Sequence, residues 1–350
     1  MSSRAFVALP KASPGDRVAI LSPAFAAPAV SAAVHEQAMV RLHEMTGLIP
    51  VESPTTRQLG ASAEARAADF TAAFADPSIK AVLATVGGDD QITVVPHIDQ
   101  RVLAANPKPF LGYSDNSNLH NLLWRLGVPS YYGGSTQVHL GAGPGIDEVH
   151  LRSLRAALLD GGRIQLTEPG EAEDFGIDWA DPRALHGFGV RQATEPWGWA
   201  GPERVAEGRS WGGCIEVIDQ LAIAGRLPSA VDLKGAILLL ETSEVLPDAD
   251  QVMRWVRALG ELGILEVVAG VMAARPPVTS LTVSNLSAEE QAERRNAQRD
   301  SIIEQVTRYN PEAVICVGVP FGHTRPQWIV PHGGNIRLDG TTQTVTADYS

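Results

Sequence analysis

The feature that most constrains the fold is a repeated pairing of a short apolar run with a longer helical pattern in the first third of the chain. Residues 17–23 (RVAILSP) follow the turn formers Pro14, Gly15 and Asp16 and read as a buried strand. Residues 30–46 then place Val30, Val34, Ala38, Leu42 and Met45 at helical spacing, with Gly47 as the stop. An Ala-rich helix over 62–76, strands over 80–88 (KAVLATVGG) and 108–115 (KPFLGYSD), and a helix over 117–127 ending at Gly127 continue the alternation. Strands joined through helices need crossovers, and right-handed crossovers produce a mostly parallel sheet covered on both faces. The N-terminal half is therefore predicted to be an α/β domain.

A chain of 350 residues is long enough for about two domains, each with its own core. Between about 141 and 210 the texture changes to turn formers and acids with little periodicity, and reads as a linker plus exposed loops. The predicted division is 1–165 for the α/β domain, 166–210 for linker and loops, and 211–350 for a smaller domain richer in β-structure. That last domain carries the runs AILLLE (236–241), VVAGVMA (267–273) and AVICVGVP (313–320). Residues 287–309 open with a capping-box pattern, Ser287 and Glu290, and are charged throughout, which predicts a solvated helix.

The balance of 28 basic and 40 acidic residues gives a formal charge of −12, which repels phosphate backbones and anionic lipid. Nucleic acid and membrane are therefore excluded as expected partners. Pro10, Pro14 and Gly15 interrupt the stretch where a secretion signal would need an apolar run, and no later run is long enough to span a bilayer. Two cysteines, Cys214 and Cys316, do not make a disulfide framework. The expected location is the cytoplasm.

Chemistry concentrates in FLGYSDNSNLH, where a strand runs into Gly112-Tyr113-Ser114-Asp115 and a helix follows almost at once. Sites in open parallel sheets gather at the carboxyl ends of strands, and a serine on such a turn resembles a nucleophile elbow. The glycine expected two residues after the serine is missing, and Ser114 as a plain helix cap is the competing reading. Val86-Gly87-Gly88-Asp89-Asp90 ends the preceding strand at the same sheet edge. Gly88 there could offer a backbone N–H to an oxyanion with Asp115 as the second donor, or form a plain turn. No nucleotide-phosphate fingerprint and no metal-ligand spacing is present, so no cofactor and no metal is expected.

A serine nucleophile needs a base and a group to orient that base. Of nine histidines, His323 stands out because it follows the strand pattern 313–320 within a breaker-flanked FGHTRP segment; His332 is its nearest rival. Glu241 ends the apolar run 236–241 and reads either as a buried orienting carboxylate or as the first exposed residue after a strand.

Taken together, PGDRVAILSP, VGGDDQITVVPHID, FLGYSDNSNL, WGGCIEVI, AILLLE and VGVPFGHT, in that order, resemble the serine LD-carboxypeptidase family. That family includes muramoyl-tetrapeptide carboxypeptidases and microcin C immunity peptidases. The resemblance implies a flavodoxin-like N-terminal sheet, a C-terminal domain built around a small β-barrel, a site at their junction, and a homodimer. It implies Ser114 as nucleophile, His323 as general base, Glu241 as its orienting acid, and backbone amides of Gly88 and Asp115 as the oxyanion hole. Cys214 in WGGCIE stands where the murein branch usually has Asn, so the resemblance leans to the microcin-immunity branch. The implied reaction is hydrolysis of an amide near the carboxyl end of a small peptide or peptide–nucleotide conjugate, with a murein tetrapeptide as the alternative substrate. Fold alone does not establish reaction, and a small-molecule binding protein is the reading from another class. Trp197 and Trp199 are candidates to stack on a flat substrate group or to cover the inter-domain seam. Arg325 is a candidate to bind a substrate carboxylate or is a surface arginine.

Overall fold

Six strands hydrogen-bond into the first sheet of the computed structural model, which describes residues 5–350. Their spatial order is Val330–His332, Ser130–Tyr132, Phe110–Gly112, Ile79–Ala84, Arg17–Leu21 and Ile49–Glu52. Every neighbouring pair is parallel except Val330–His332 with Ser130–Tyr132. The predicted α/β alternation is present, with helices Ala32–Thr46, Ala63–Ala75 and Ser117–Leu126 between the strands. Gly47 and Gly127 end two of these helices in the left-handed conformation, as their positions in the sequence suggest. The edge strand Ile49–Glu52 has no signature of its own: it is four residues long, contains Pro50, and forms because Arg17–Leu21 offers it a free edge.

A second sheet of eight strands curls around its own core. Its centre is parallel and runs Val205–Cys214, Ile237–Glu241, Gly270–Ala274 and Val314–Val319. The two flanks are antiparallel. Asn335–Asp339, Thr344–Asp348 and Arg163–Gln165 extend one side, and Gly198–Ala200 pairs with Val314–Val319 on the other. The stretch read as linker and loops therefore contributes a strand, Gly198–Ala200, to this sheet, and a two-stranded hairpin, Glu171–Ala172 with Gln192–Ala193. These segments are two or three residues long and pair with distant partners, so no local periodicity marks them.

The two sheets share chain. Val330–His332 leaves the second half to close the first sheet, while Arg163–Gln165 does the reverse. The helix Ser117–Leu126 packs between them: Trp124 Nε1 donates to Ser210 O at 3.2 Å, and Trp211 Nε1 donates to Asn121 Oδ1 at 3.3 Å. The charged helix Ala288–Tyr309 does carry the Ser287–Glu290 capping box. It is not solvated all round, however, because Arg295, Gln298 and Arg299 are buried. Ion pairs from Arg295 to Asp174 and Glu195 make that burial tolerable. Among the described residues no helix is long and apolar enough to cross a membrane. Both cysteines are free and buried.

The WGGC segment shows why the second sheet needs glycine at the junction. Gly212 has φ +136°, and a Cβ there would sit 2.0 Å from the carbonyl oxygen of Leu239 on the neighbouring strand. Contact that close is only possible without a side chain. Gly212→Ala should lower the unfolding free energy by about 2 kcal/mol or more, by displacing the strand that carries Glu241. The check is a shift of the guanidinium unfolding midpoint; an unchanged midpoint would count against this account.

Candidate active site

Ser114 lies at the carboxyl end of Phe110–Gly112, at the start of a single helical turn, with φ +63°. A non-glycine residue in the left-handed region costs on the order of 1–2 kcal/mol and persists only where its neighbours enforce it. Hydrogen bonds around the turn and the close approach of Gly87 do so here. The Ser114 N–H donates to Tyr132 Oη at 3.1 Å, Asn116 Nδ2 donates to Val86 O and Tyr113 O, and a Cβ on Gly87 would lie 2.8 Å from Ser114 Oγ. Ser114 does not cap the following helix, whose N-cap is Asn116. The turn is an elbow without the second glycine, because Asn116 fills the space beside Gly112.

The loop after Ile79–Ala84 meets the elbow from the other side. The Asp115 carboxylate accepts from Gln91 N at 2.9 Å and from Asn118 Nδ2 at 2.9 Å, which ties that loop to the elbow. Burial, with Asp89 and Asp90 nearby, pushes the Asp115 carboxyl up to about 6. Asp90 is held in turn by a two-pronged contact with Arg66, 2.7 Å on each oxygen. Among the described residues no protein atom accepts the backbone N–H of Gly88 or of Asp115. Two free amides therefore flank the serine.

Glu241 ends the strand Ile237–Glu241 and is 3% exposed. Its two oxygens are both occupied: Tyr132 Oη donates to Oε1 at 2.5 Å, and His323 Nδ1 meets Oε2 at 2.6 Å. The sequence reading of Glu241 as the first exposed residue is the one the structure does not support. Burial raises the Glu241 pKa, opposed by the attraction of His323. Burial works against a charged His323, yet the carboxylates of Glu241, Glu244 and Glu216 outweigh it and push the imidazole up to about 9. Tyr113 packs edge-on against the His323 ring, with centroids 4.9 Å apart. Nε2 of His323 makes no hydrogen bond, and Glu244 Oε2 lies 3.2 Å from it outside hydrogen-bond geometry. His323 and Ser114 line the same cavity without a hydrogen bond between them.

That cavity has a volume of about 560 Å³. Gly88, Ser114, His323 and Arg325 are in its lining, together with the aromatic residues Phe25, Phe175 and Trp179. Trp197 and Trp199 are elsewhere. Both pack half-buried against the core, and Trp199 lies opposite Cys316 in the second sheet. Arg325 is buried and braces the cavity wall: Nε donates to Asp147 at 2.7 Å, and its terminal nitrogens donate to the carbonyls of Val138, Ala142 and Gly145. His332, the rival base, is fully buried under Gly212, whose N–H it accepts at 3.4 Å. His120 sits behind the elbow with Nε2 2.7 Å from Gly112 O. Among the described residues no group of three or more His, Cys, Asp or Glu side chains is placed to hold a metal ion.

Three residues at the site escaped the sequence reading. Tyr132 links the Ser114 backbone to Glu241 across the seam, Glu244 faces His323, and Trp179 lines the cavity. The first carries a signal, since the short apolar SYYGG segment could have been read as one more strand ending at the same sheet edge.

Residues 18–133 match the LD-carboxypeptidase N-terminal domain and residues 207–338 match the LD-carboxypeptidase C-terminal domain. A protein of Vibrio cholerae named as a carboxypeptidase is 25% identical over 340 residues, 94% of each chain. The microcin C7 self-immunity protein MccF of Escherichia coli is 26% identical over 181 residues, 51% of each chain. A solved structure of MccF in complex with aspartyl sulfamoyl adenosine superposes with a TM-score of 0.81 at 20% identity, covering 97% of this chain and 98% of that one.

The His323 environment gives a sign-definite titration. Its pKa is raised, so the stabilisation it provides is complete below the free-histidine value of about 6.5 and is lost as pH rises through about 9. An NMR titration of the His323 imidazole should show a midpoint near 9, dropping by more than one unit in Glu241→Gln. A midpoint near that of free histidine in the unaltered protein would contradict the arrangement.

Proposed function

The chain belongs to the LD-carboxypeptidase family and is a serine-peptidase-like hydrolase, and from that premise we propose that Ser114, His323 and Glu241 form its catalytic triad. The observation that carries the reading is the chain of contacts Ser114 N–H to Tyr132 Oη to Glu241 to His323, which delivers the imidazole to the cavity that holds the serine. His323 Nε2 takes the Ser114 proton as Oγ bonds to the substrate carbonyl carbon. The carbonyl oxygen, now negative, is received by the free amides of Gly88 and Asp115. Nε2 then passes its proton to the leaving nitrogen as the C–N bond breaks. Water attacks the acyl-serine with His323 again as base, which releases a carboxylic acid and restores the hydroxyl.

We further propose that the substrate is an aminoacyl or peptidyl conjugate with a flat heteroaromatic group, in preference to a murein tetrapeptide. Release of a C-terminal residue calls for a cation to hold its free carboxylate, and Arg325, the one arginine or lysine among the described lining residues, already makes four hydrogen bonds within the protein. The aromatic lining residues Phe25, Phe175 and Trp179 offer stacking surface instead. Aminoacyl sulfamoyl nucleosides, one of which is bound by MccF, are suitable probes.

Incubation with an aminoacyl–nucleotide conjugate and with a murein tetrapeptide, followed by mass spectrometry, should show cleavage of the conjugate. Ser114→Ala should abolish turnover with its thermal unfolding unchanged, and loss of Glu241 should cost roughly 10³–10⁴ in kcat. Retained activity in purified Ser114→Ala would remove the proposal.

A further inference from the structure

The mechanism leaves one cavity residue unused. Glu244 lies three residues beyond Glu241, on a loop whose base is pinned where Ser243 donates from both N–H and Oγ to Glu216 Oε1 at 2.8 Å. Its side chain is 67% exposed, and its carboxylate lies 3.2 Å from His323 Nε2. That nitrogen belongs to a side chain only 8% exposed, has no hydrogen-bond partner, and is the atom that must take the serine proton.

The charges around it are one-sided. Arg325 is committed to Asp147 and three carbonyls, and Asp174 is neutralised by Arg275 and Arg295. The exposed charges left in the cavity lining are Asp89, Asp178 and Glu244, all acidic. Ile177 and Leu281 supply apolar surface in the same lining. Exposed carboxylates and aliphatic surface lining one cavity suit a long side chain with an apolar stem and a cationic head.

We propose that Glu244 is a specificity-determining residue that pairs with a cationic side chain, of the lysine or arginine type, on the acyl part of the substrate. The proposal rests on the hydrolase reading above. Glu244 faces His323 Nε2. When a cationic substrate enters, the carboxylate turns to the new partner and leaves Nε2 to the serine hydroxyl. Substrate recognition and release of the base are then one movement. An acidic side chain would meet three carboxylates and be rejected. The groups facing the imidazole are Glu241 from the strand, Glu216 from the helix Ile215–Ile223, and Glu244 from the loop, with Tyr113 packed on the ring and His139 beyond it.

The test uses lysyl, norleucyl and glutamyl sulfamoyl adenosine, which share the α-amino group and nucleoside and differ in side-chain charge. Binding is measured by calorimetry on full-length Ser114→Ala, so that nothing is hydrolysed. The lysyl compound should bind roughly tenfold more tightly than the norleucyl one, the order expected of a partly desolvated charge pair, and the glutamyl compound should bind most weakly. Adding Glu244→Gln should bring the lysyl and norleucyl affinities within about twofold of each other, and Glu244→Lys should favour the glutamyl compound. In the hydrolase with Ser114 intact, Glu244→Gln should also move the acid limb of kcat/KM to lower pH, an effect a merely structural residue would not produce. Equal binding of the three compounds, or a lysyl preference that survives Glu244→Gln, overturns this proposal and leaves the hydrolase reading standing. Failure of all three to bind overturns both this proposal and the conjugate reading.

Discussion

The fold turns on one buried carboxylate. Glu241 is almost fully removed from water, where an isolated charge would cost several kcal/mol, and its two oxygens are satisfied by Tyr132 and His323. Tyr132 comes from the first sheet, Glu241 from the second, and His323 from the chain just beyond the second sheet's strand Val314–Val319. The carboxylate is therefore fully paired only when the two sheets are docked. The swapped strands Val330–His332 and Arg163–Gln165 and the Trp124 and Trp211 hydrogen bonds enforce that docking from outside. Correct domain assembly and an oriented imidazole are the same structural event.

The elbow depends on that event too. Ser114 is held in a left-handed conformation partly by donating its N–H to the Tyr132 hydroxyl that also serves Glu241. Gly213, with φ +131°, leaves room for this junction: a Cβ there would lie 2.6 Å from the Tyr132 ring and 2.7 Å from Ser117 Oγ. The WGGC segment, remote from Ser114 in sequence, thus clears the space in which the strained serine is kept. Strain at Ser114, close backbone approach behind it and a hydroxyl shared between Ser114 and Glu241 form one over-determined unit.

Much of this was legible in the sequence, for a physical reason. Buried parallel strands must be apolar throughout, so RVAILSP, KAVLATVGG and the runs ending at Glu241 and near His323 announce themselves, and groups at their carboxyl ends become candidates at once. What stayed hidden depends on partners rather than on local pattern. Ile49–Glu52 and Gly198–Ala200 are strands only because a neighbouring edge accepts them. Helix Ala288–Tyr309 reads as solvated because burial of Arg295 is set by Asp174 and Glu195, which lie about a hundred residues away. Trp197 and Trp199 drew attention as loop tryptophans, yet both pack against the core, Trp199 from the strand paired with Val314–Val319 and Trp197 just before it, while Trp179 lines the cavity. Composition identifies an aromatic residue; only long-range pairing decides which way it faces.

The arginines explain the electrostatic character that remains at the site. Arg325, Arg275 and Arg295 are each nearly buried, and each is paired with acids: Arg325 with Asp147, and Arg275 and Arg295 with Glu195 and with Asp174, which lines the cavity. A guanidinium bound in this way is a brace, because releasing it to a ligand would leave a buried carboxylate unpaired. The basic side chains are thereby removed from the free charge of the cavity, and the unbraced acids set its sign. Burial opposes a charge on His323, and Glu241 first, with the exposed Glu244 and with Glu216, outweighs it and raises the imidazole pKa. The same arrangement that braces the cavity wall leaves carboxylates as the exposed charges beside His323, so a cation entering the cavity changes the balance of charge at that imidazole.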